Sequence, residues 1–467
     1  MISTDRPAAV GVNPQPAEAQ LATCAAARYA PLAYSQLAYW QLHQLGVRRS
    51  FRSVASATRL RGRLDLQALI TSVEELVNRH SALRTRIVLL EGIAQQEIAA
   101  SAECDLSTED LTAVPAGERE SEVQKQITNL ILEPIDVSVG PLFGVRILKL
   151  GDDEYVLIVA LDHMISDIFS MNVLQEEIFA AYAQVTQGGA IRLLVSSLQF
   201  ADYAISQRRA QQSWSREHGG YWNEHLLGCR RVRFPQAADL PLANASGWGN
   251  VPVHIDAELT AGLRGWCRQR RVSFSMSIFC AYAALVLRWC DVPEAVIRYQ
   301  SHGRVTRKIE RSIGFFASRL YLRVAIQEDE SFVDLVRRVT DEYCRAYEHD
   351  DFSLLESRVP PPEFAQNTFF NWIPRGNNRG VIGCGAAQEA ITTEPIPFLN
   401  PWFENLEWDN EPMIQLYEAQ DEVAGGVHFQ LQHLSVGTME RFVGNLLLFV
   451  SALLRQPEAR VTELLPR

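Results

Sequence analysis

Apolar and polar positions alternate along this 467-residue chain in patterns that predict discrete strands and helices. The densest apolar run is Tyr155, Val156, Leu157, Ile158, Val159, Ala160 and Leu161, rich in β-branched residues. It has the length and character of a strand buried on both faces. Polar groups then arrive together as Asp162, His163, Ser166 and Asp167, and beyond them Val173, Leu174, Ile178, Phe179 and Tyr182 recur at helical spacing. A strand therefore delivers a histidine into a loop, and a helix leaves it. A second apolar strand at 142–150 turns through Gly151, Asp152, Asp153 and Glu154 into the first, so the pair forms a hairpin with His163 at its far end.

The same reading places an amphipathic helix within 31–42, with Leu37, Tyr39, Trp40 and Leu42 as core contacts. It predicts a strand over 54–62 and a helix over 66–79 whose Leu69, Val73, Leu76 and Val77 share one side. Residues 92–117 read as irregular, and 118–132 as helix. Gly188 and Gly189 close this part of the chain. A helical connector follows at 198–209, then a Pro-, Gly-, Asn- and Ala-rich loop at 239–249. Helix 274–289 is almost wholly apolar, hence buried. Phe369, Phe370, Asn371 and Trp372 form a strand with a polar end, 413–434 reads as two paired strands, and 438–454 as an amphipathic helix. These boundaries predict a disordered leader (1–24), an N-terminal lobe (25–190), a connector (191–250) and a C-terminal lobe (251–467).

Composition narrows the function classes. The length suits two domains of about 200 residues, and 47% apolar residues suffice for full interiors. A net charge of -11 argues against a nucleic-acid binder. The eight cysteines are scattered without a C-x-x-C pair, so neither a zinc site nor a disulfide framework is expected. No window holds the ~18 apolar residues of a membrane span, and residues 1–20 lack a signal-peptide core. A cytoplasmic protein with reduced thiols, no metal and no membrane contact is the expectation.

The spacing H-x-x-x-D, His163 to Asp167, is the main chemical lead. An imidazole can take a proton from an amine or hydroxyl near neutral pH. A carboxylate four residues on can hold the loop by returning to the ring or pairing with an arginine. A histidine followed by an aspartate is common, however, and the spacing alone does not establish catalysis.

The surrounding residues resemble the condensation domains of nonribosomal peptide synthetases, members of the chloramphenicol acetyltransferase-like superfamily. Their core motif H-H-x-x-x-D-G stands here as Asp162, His163, Met164, Ile165, Ser166, Asp167 and Ile168. The second histidine and the aspartate match, whereas Asp162 and Ile168 replace the first histidine and the glycine. Gln36, Trp40 and Leu42 resemble the first motif, and Arg79, His80, Leu83, Arg84 and Thr85 match the second. Asp202, Tyr203 and Ala204 resemble the fourth. Gly303, Arg304, Ile313, Gly314 and Phe316 resemble the Gly-Arg pair and the I-G-x-F-V-N-T segment, with Ala317, Ser318 and Arg319 departing from it. His349, Asp350, Asp351 and Leu354 loosely match the sixth motif. Gly314 either brings backbone close to a ligand or partner, or is a plain turn glycine.

The resemblance implies an α/β fold, of the α+β kind: two acetyltransferase-like lobes in a V, each a mixed sheet flanked by helices. It covers nearly the whole chain, leaving no room for a carrier, adenylation or thioesterase domain, which implies a free-standing unit. It implies transfer of an acyl or aminoacyl thioester from the phosphopantetheine of a carrier protein to an amine or hydroxyl acceptor in natural-product (antibiotic) biosynthesis. The acceptor is a small molecule or is itself carrier-bound, and the enzyme holds no cofactor of its own. His163 would act on the acceptor. Asp167 and Asp162 would support the loop, with Arg304 or Arg298 pairing with Asp167. Ile168, Ser170, Ser318, Asn371 and Trp372 would line the substrate tunnel. Asp162, Asp167 and Ser170 also fit the heterocyclisation signature D-x-x-x-x-D-x-x-S. Cyclodehydration is therefore one alternative, and a non-catalytic carrier-docking or recruitment domain is another. Plant-type acyltransferases share H-x-x-x-D, but their D-F-G-W-G segment is missing here.

Overall fold

A computed structural model of the chain describes residues 28–44, 51–193, 198–229, 231–235, 247–304, 306–350, 368–374, 380–382, 390–398 and 412–465. The expected leader, Cys24, Cys384, and Asp351 and Leu354 of the sixth motif lie outside these residues. The first half runs β1 (Tyr29–Pro31), α1 (Tyr34–Gln44), β2 (Val54–Arg61), α2 (Leu66–Arg79), β3 (Thr85–Leu90), β4 (Ile93–Ile98), β5 (Leu106–Asp110), α3 (Ala116–Leu132), β6 (Phe143–Gly151), β7 (Glu154–Leu161), α4 (Ile168–Thr186) and α5 (Phe200–His225). The second runs β8 (Trp248–Ile255), α6 (Ala257–Arg270), α7 (Phe274–Cys290), β9 (Glu294–Ser301), β10 (Ser318–Ala325), α8 (Phe332–Glu348), β11 (Phe369–Ile373), β12 (Gly380–Ile382), β13 (Ile391–Pro395), β14 (Met413–Glu418), β15 (Val423–Gln430), α9 (Val436–Arg455) and α10 (Val461–Leu464).

Two six-stranded mixed sheets, ordered β12-β13-β2-β7-β6-β5 and β10-β9-β11-β14-β15-β8, carry the fold, beside a small β1-β4-β3 sheet. In the first large sheet β5 and β6 are parallel, and β2 and β6 each run antiparallel to β7 between them. In the second, β11 lies parallel to both β9 and β14. Strand β7 is the centre of the first sheet. Its Leu157, Val159 and Leu161 enter one core, and Val156, Ile158 and Ala160 enter another on the opposite face. Strand alternation with both faces covered thus accounts for the unbroken apolar run.

The structure departs from the sequence reading in several places, among them the connector helix expected over 198–209, which runs Phe200–His225. Residues 92–117, expected to be irregular, hold β4 and β5. The former is half polar (Gln95, Gln96, Glu97) and the latter sits at a sheet edge with Ser107–Asp110 exposed, so neither shows an apolar alternation. Trp248 and Gly249, expected in a loop, open β8. The sheet that carries His163 also takes β13, from beyond residue 251, through pairing of Thr392–Pro395 with Thr58–Arg61.

Among the described residues, α9 is long and apolar enough by length and composition to cross a membrane. Its Met439, Phe442, Leu446 and Phe449 are fully buried in the core of the second sheet. The described cysteines are free thiols. Because β7 serves two cores, Leu157→Ala and Ile158→Ala are each expected to cost about 2–5 kcal/mol in urea unfolding, despite filling opposite faces.

Candidate active site

The loop after β7 is closed by its own first residue. Asp162 is fully buried. Its Oδ1 accepts from the Met164 amide at 2.7 Å, and its carbonyl accepts from the Ser166 hydroxyl at 3.0 Å and the Ile165 amide at 3.1 Å. An aspartate suits this turn because its short carboxylate reaches the amide two residues on. The closed loop points the Ser166 carbonyl at His163 Nδ1, 2.8 Å away. A carbonyl can only accept, so Nδ1 carries a proton, and in the neutral form of the ring the lone pair is on Nε2. That is the tautomer a base needs when its second nitrogen faces a substrate.

Asp167 is the N-cap of α4 and accepts from the Ser170 amide at 2.7 Å and the Ser170 hydroxyl at 2.9 Å. It is also the meeting point of the two halves. Arg304 grips it bidentately, Nη1 to Oδ2 and Nη2 to Oδ1, both at 2.9 Å. The Phe316 and Ala317 amides add bonds to Oδ2 at 3.0 and 3.1 Å. Burial alone pushes the Asp167 carboxyl up, but the charge and hydrogen bonds of Arg304, with those of Ser170, outweigh it and hold the group below its ordinary value. Arg304 Nη2 also reaches Ser170 Oγ at 2.9 Å, and Ser170 Oγ is tied to Gly314 at its carbonyl (2.8 Å) and amide (3.0 Å). Arg298, the other partner considered, lies over the Phe369 ring instead.

Two glycines let this knot close. Gly303 has φ +62, and a Cβ there would fall 1.8 Å from the Phe316 carbonyl oxygen. At Gly314 a Cβ would meet the Phe200 ring at 2.2 Å. Gly314 is therefore a packing glycine against α5, not a site of approach for a ligand. Ile168 is the first helical residue of α4, has no positive φ and packs partly buried against the apolar core, so the position does not demand a glycine backbone.

The other expected tunnel residues come from the second half of the chain, where each has a protein contact. Ser318 and Ser301, paired across β9 and β10, both donate to the buried Asp350 carboxylate. Asn371 donates to Gln415 on β14 at 3.1 Å, and Trp372 packs edge-on to Phe274. Sequence reasoning assigned no site role to Gln36, Ser35 or Phe315. Gln36, fully buried, donates to the Met164 carbonyl at 2.7 Å and so bonds the histidine loop to α1. Ser35 donates to the Phe315 carbonyl at 2.6 Å. Gln36 was visible as a motif position, but its contact depends on tertiary packing. His80 bonds the buried Glu177 through Nε2 at 2.7 Å, tying the end of α2 to α4. Among the described residues no group of His, Cys, Asp and Glu is arranged to hold a metal ion.

Comparison with known proteins agrees with this architecture. The profile of a family described as Condensation domain matches residues 26–369. Enniatin synthase of Fusarium equiseti is 29% identical over 333 residues, 70% of this chain and 10% of that protein. Malpibaldin synthetase of Mortierella alpina is 26% identical over 443 residues, 92% of this chain and 8% of its own length. The chain thus spans a tenth or less of these curated relatives. Among solved structures, the complex of the X-domain and OxyB from teicoplanin biosynthesis contains a chain of the same fold, with a TM-score of 0.74 and 21% identity, covering 95% of this chain and 97% of that one.

Asp167→Asn is expected to cost about 3–5 kcal/mol at neutral pH by leaving Arg304 buried against a neutral partner. The carboxyl is depressed in the folded state. Its contribution is therefore complete above the unfolded value of about 3.9 and is lost as pH falls through the lower folded value. Urea unfolding followed into acid should fall less steeply for Asp167→Asn than for the wild type.

Proposed function

The chain belongs to the condensation-domain family, and from that premise we propose that it transfers an acyl or aminoacyl group from a carrier-bound thioester to an amine or hydroxyl acceptor. The observation that carries this reading is the Nδ1–H···O=C bond from His163 to Ser166, which leaves Nε2 as the basic nitrogen. In the proposed step the acceptor nitrogen or oxygen attacks the thioester carbon and its proton passes to His163 Nε2. The C–N or C–O bond forms, the C–S bond breaks, and the proton leaves with the carrier thiol. No acyl-enzyme is required. Bringing two tethered reactants together can supply up to about 7–11 kcal/mol of the barrier, with proton transfer adding to it.

This reading is favoured over cyclodehydration because Asp162, Asp167 and Ser170, which make up the heterocyclisation signature, are all buried and engaged in closing the loop or binding Arg304. A recruitment role is the second reading, and the X-domain of the same fold, whose structure is a complex with OxyB, favours it. The phosphopantetheine arm belongs to the substrate in the first reading and to the docked carrier in the second. The retained histidine, in the tautomer a base requires, supports transfer over recruitment.

Intact-protein mass spectrometry of acyl-loaded carrier proteins, mixed with the chain and a panel of amines and alcohols, tests the proposal. The wild type is expected to unload the carrier and release coupled product, with His163→Ala slower by about 10²–10⁴-fold. Loss of one further water from the product would favour cyclodehydration. Inert wild type and variant that still bind the carrier would replace transfer with recruitment.

A further inference from the structure

His163 is held by more than its own loop. Its ring lies 4.3 Å, centroid to centroid, from Phe315 and 5.1 Å from Tyr39, and the latter two rings meet edge-on at 4.8 Å. Three rings from three separate segments therefore contact one another pairwise. The geometry of such pairs constrains ring orientation more than an aliphatic contact does. Tyr39 is presented by α1, which Gln36 fastens to the loop at the Met164 carbonyl. Phe315 is presented by the segment between β9 and β10, and its backbone is pinned on both sides. Its carbonyl accepts from Ser35, and the next two amides donate to Asp167. Phe315 itself is 5% exposed, so its ring has little freedom.

The hydrogen bond to Ser166 fixes one nitrogen of His163 but leaves the ring free to tilt about that bond. A wall against the ring is what removes the tilt. We propose that Phe315, with Tyr39, is a positioning residue that locks the His163 imidazole in its base-competent orientation, and that it does so from the opposite half of the chain. This rests on the reading of His163 as the group that activates the acceptor. It follows that the orientation of the base depends on the second half being docked through the Asp167–Arg304 pair, because the residues after Phe315 are those that bind Asp167.

Phe315→Leu keeps an apolar side chain but removes the ring, and Phe315→Tyr restores the ring. With acyl-carrier and acceptor, Phe315→Leu is expected to lower kcat about 10–100-fold, the scale of a small misplacement at a reacting group. KM should stay within about threefold, because substrate binding is not what is lost. Phe315→Tyr should recover most of the rate. In parallel, ¹³C relaxation of the His163 ring C–H groups should show one rigid orientation in the wild type and added ring motion in Phe315→Leu, with the Nδ1–H tautomer set by Ser166 the same in both. A kcat for Phe315→Leu equal to wild type, or a loss that falls wholly in KM, overturns the proposal. If the wild type transfers no acyl group, the acyltransferase reading fails on its own, and the relaxation data still decide the clamp: equal His163 ring mobility in both proteins overturns it.

Discussion

The carboxylate of Asp167 is fully enclosed, and the cation that neutralises it comes from a segment of chain more than a hundred residues away, Arg304. A charge in that position is tolerable when its partner and its hydrogen bonds are all in place, and removing one partner strands the other. The pair therefore acts less as a source of net stability than as a condition on the arrangement. The N-terminus of α4, the segment of Gly314 to Ala317, and Ser170 between them fit together in one way. Phe316 lies beneath the Arg304 guanidinium, 4.6 Å from its ring centroid, and closes the interface with apolar surface.

The two departures from the family's core motif have separate physical meanings. Asp162 in place of a histidine builds the turn through its own carboxylate, so the Ser166 carbonyl still reaches His163. Ile168 in place of glycine occupies ordinary helical backbone and adds to the apolar packing of α4. Neither change touches the bond that sets the imidazole tautomer. The sequence pattern shared with heterocyclisation domains likewise resolves into loop closure and ion pairing, since its serine is spent on Asp167, Arg304 and Gly314.

The strand, loop and helix around His163 were legible in the sequence because burial on both faces, a sudden polar cluster and a renewed helical period leave separate marks in 155–182. The paired strands of 413–434 were legible for similar reasons. Edge strand β5 was not, since Ser107–Asp110 are exposed and Leu106 by itself, partly buried against the core, makes no apolar alternation. The choice between Arg298 and Arg304 was also closed to sequence reasoning. Both lie in one stretch, and what separates them is that Gly303, at positive φ, turns the chain so that Arg304 points across to α4. Phe315 occupies a variable position of its motif, and only the folded chain brings its ring to the histidine.

The central claim is that the Asp167–Arg304 pair links the halves and thereby holds the histidine loop, and a double-mutant cycle tests it most directly. Unfolding free energies of the wild type, Asp167→Ala, Arg304→Met and the double variant would be measured in urea at neutral pH. A coupling of about 3 kcal/mol or more is predicted, close to the loss in either single variant, with the double variant little worse than either single one. Additive losses, with no coupling between the two positions, would contradict it.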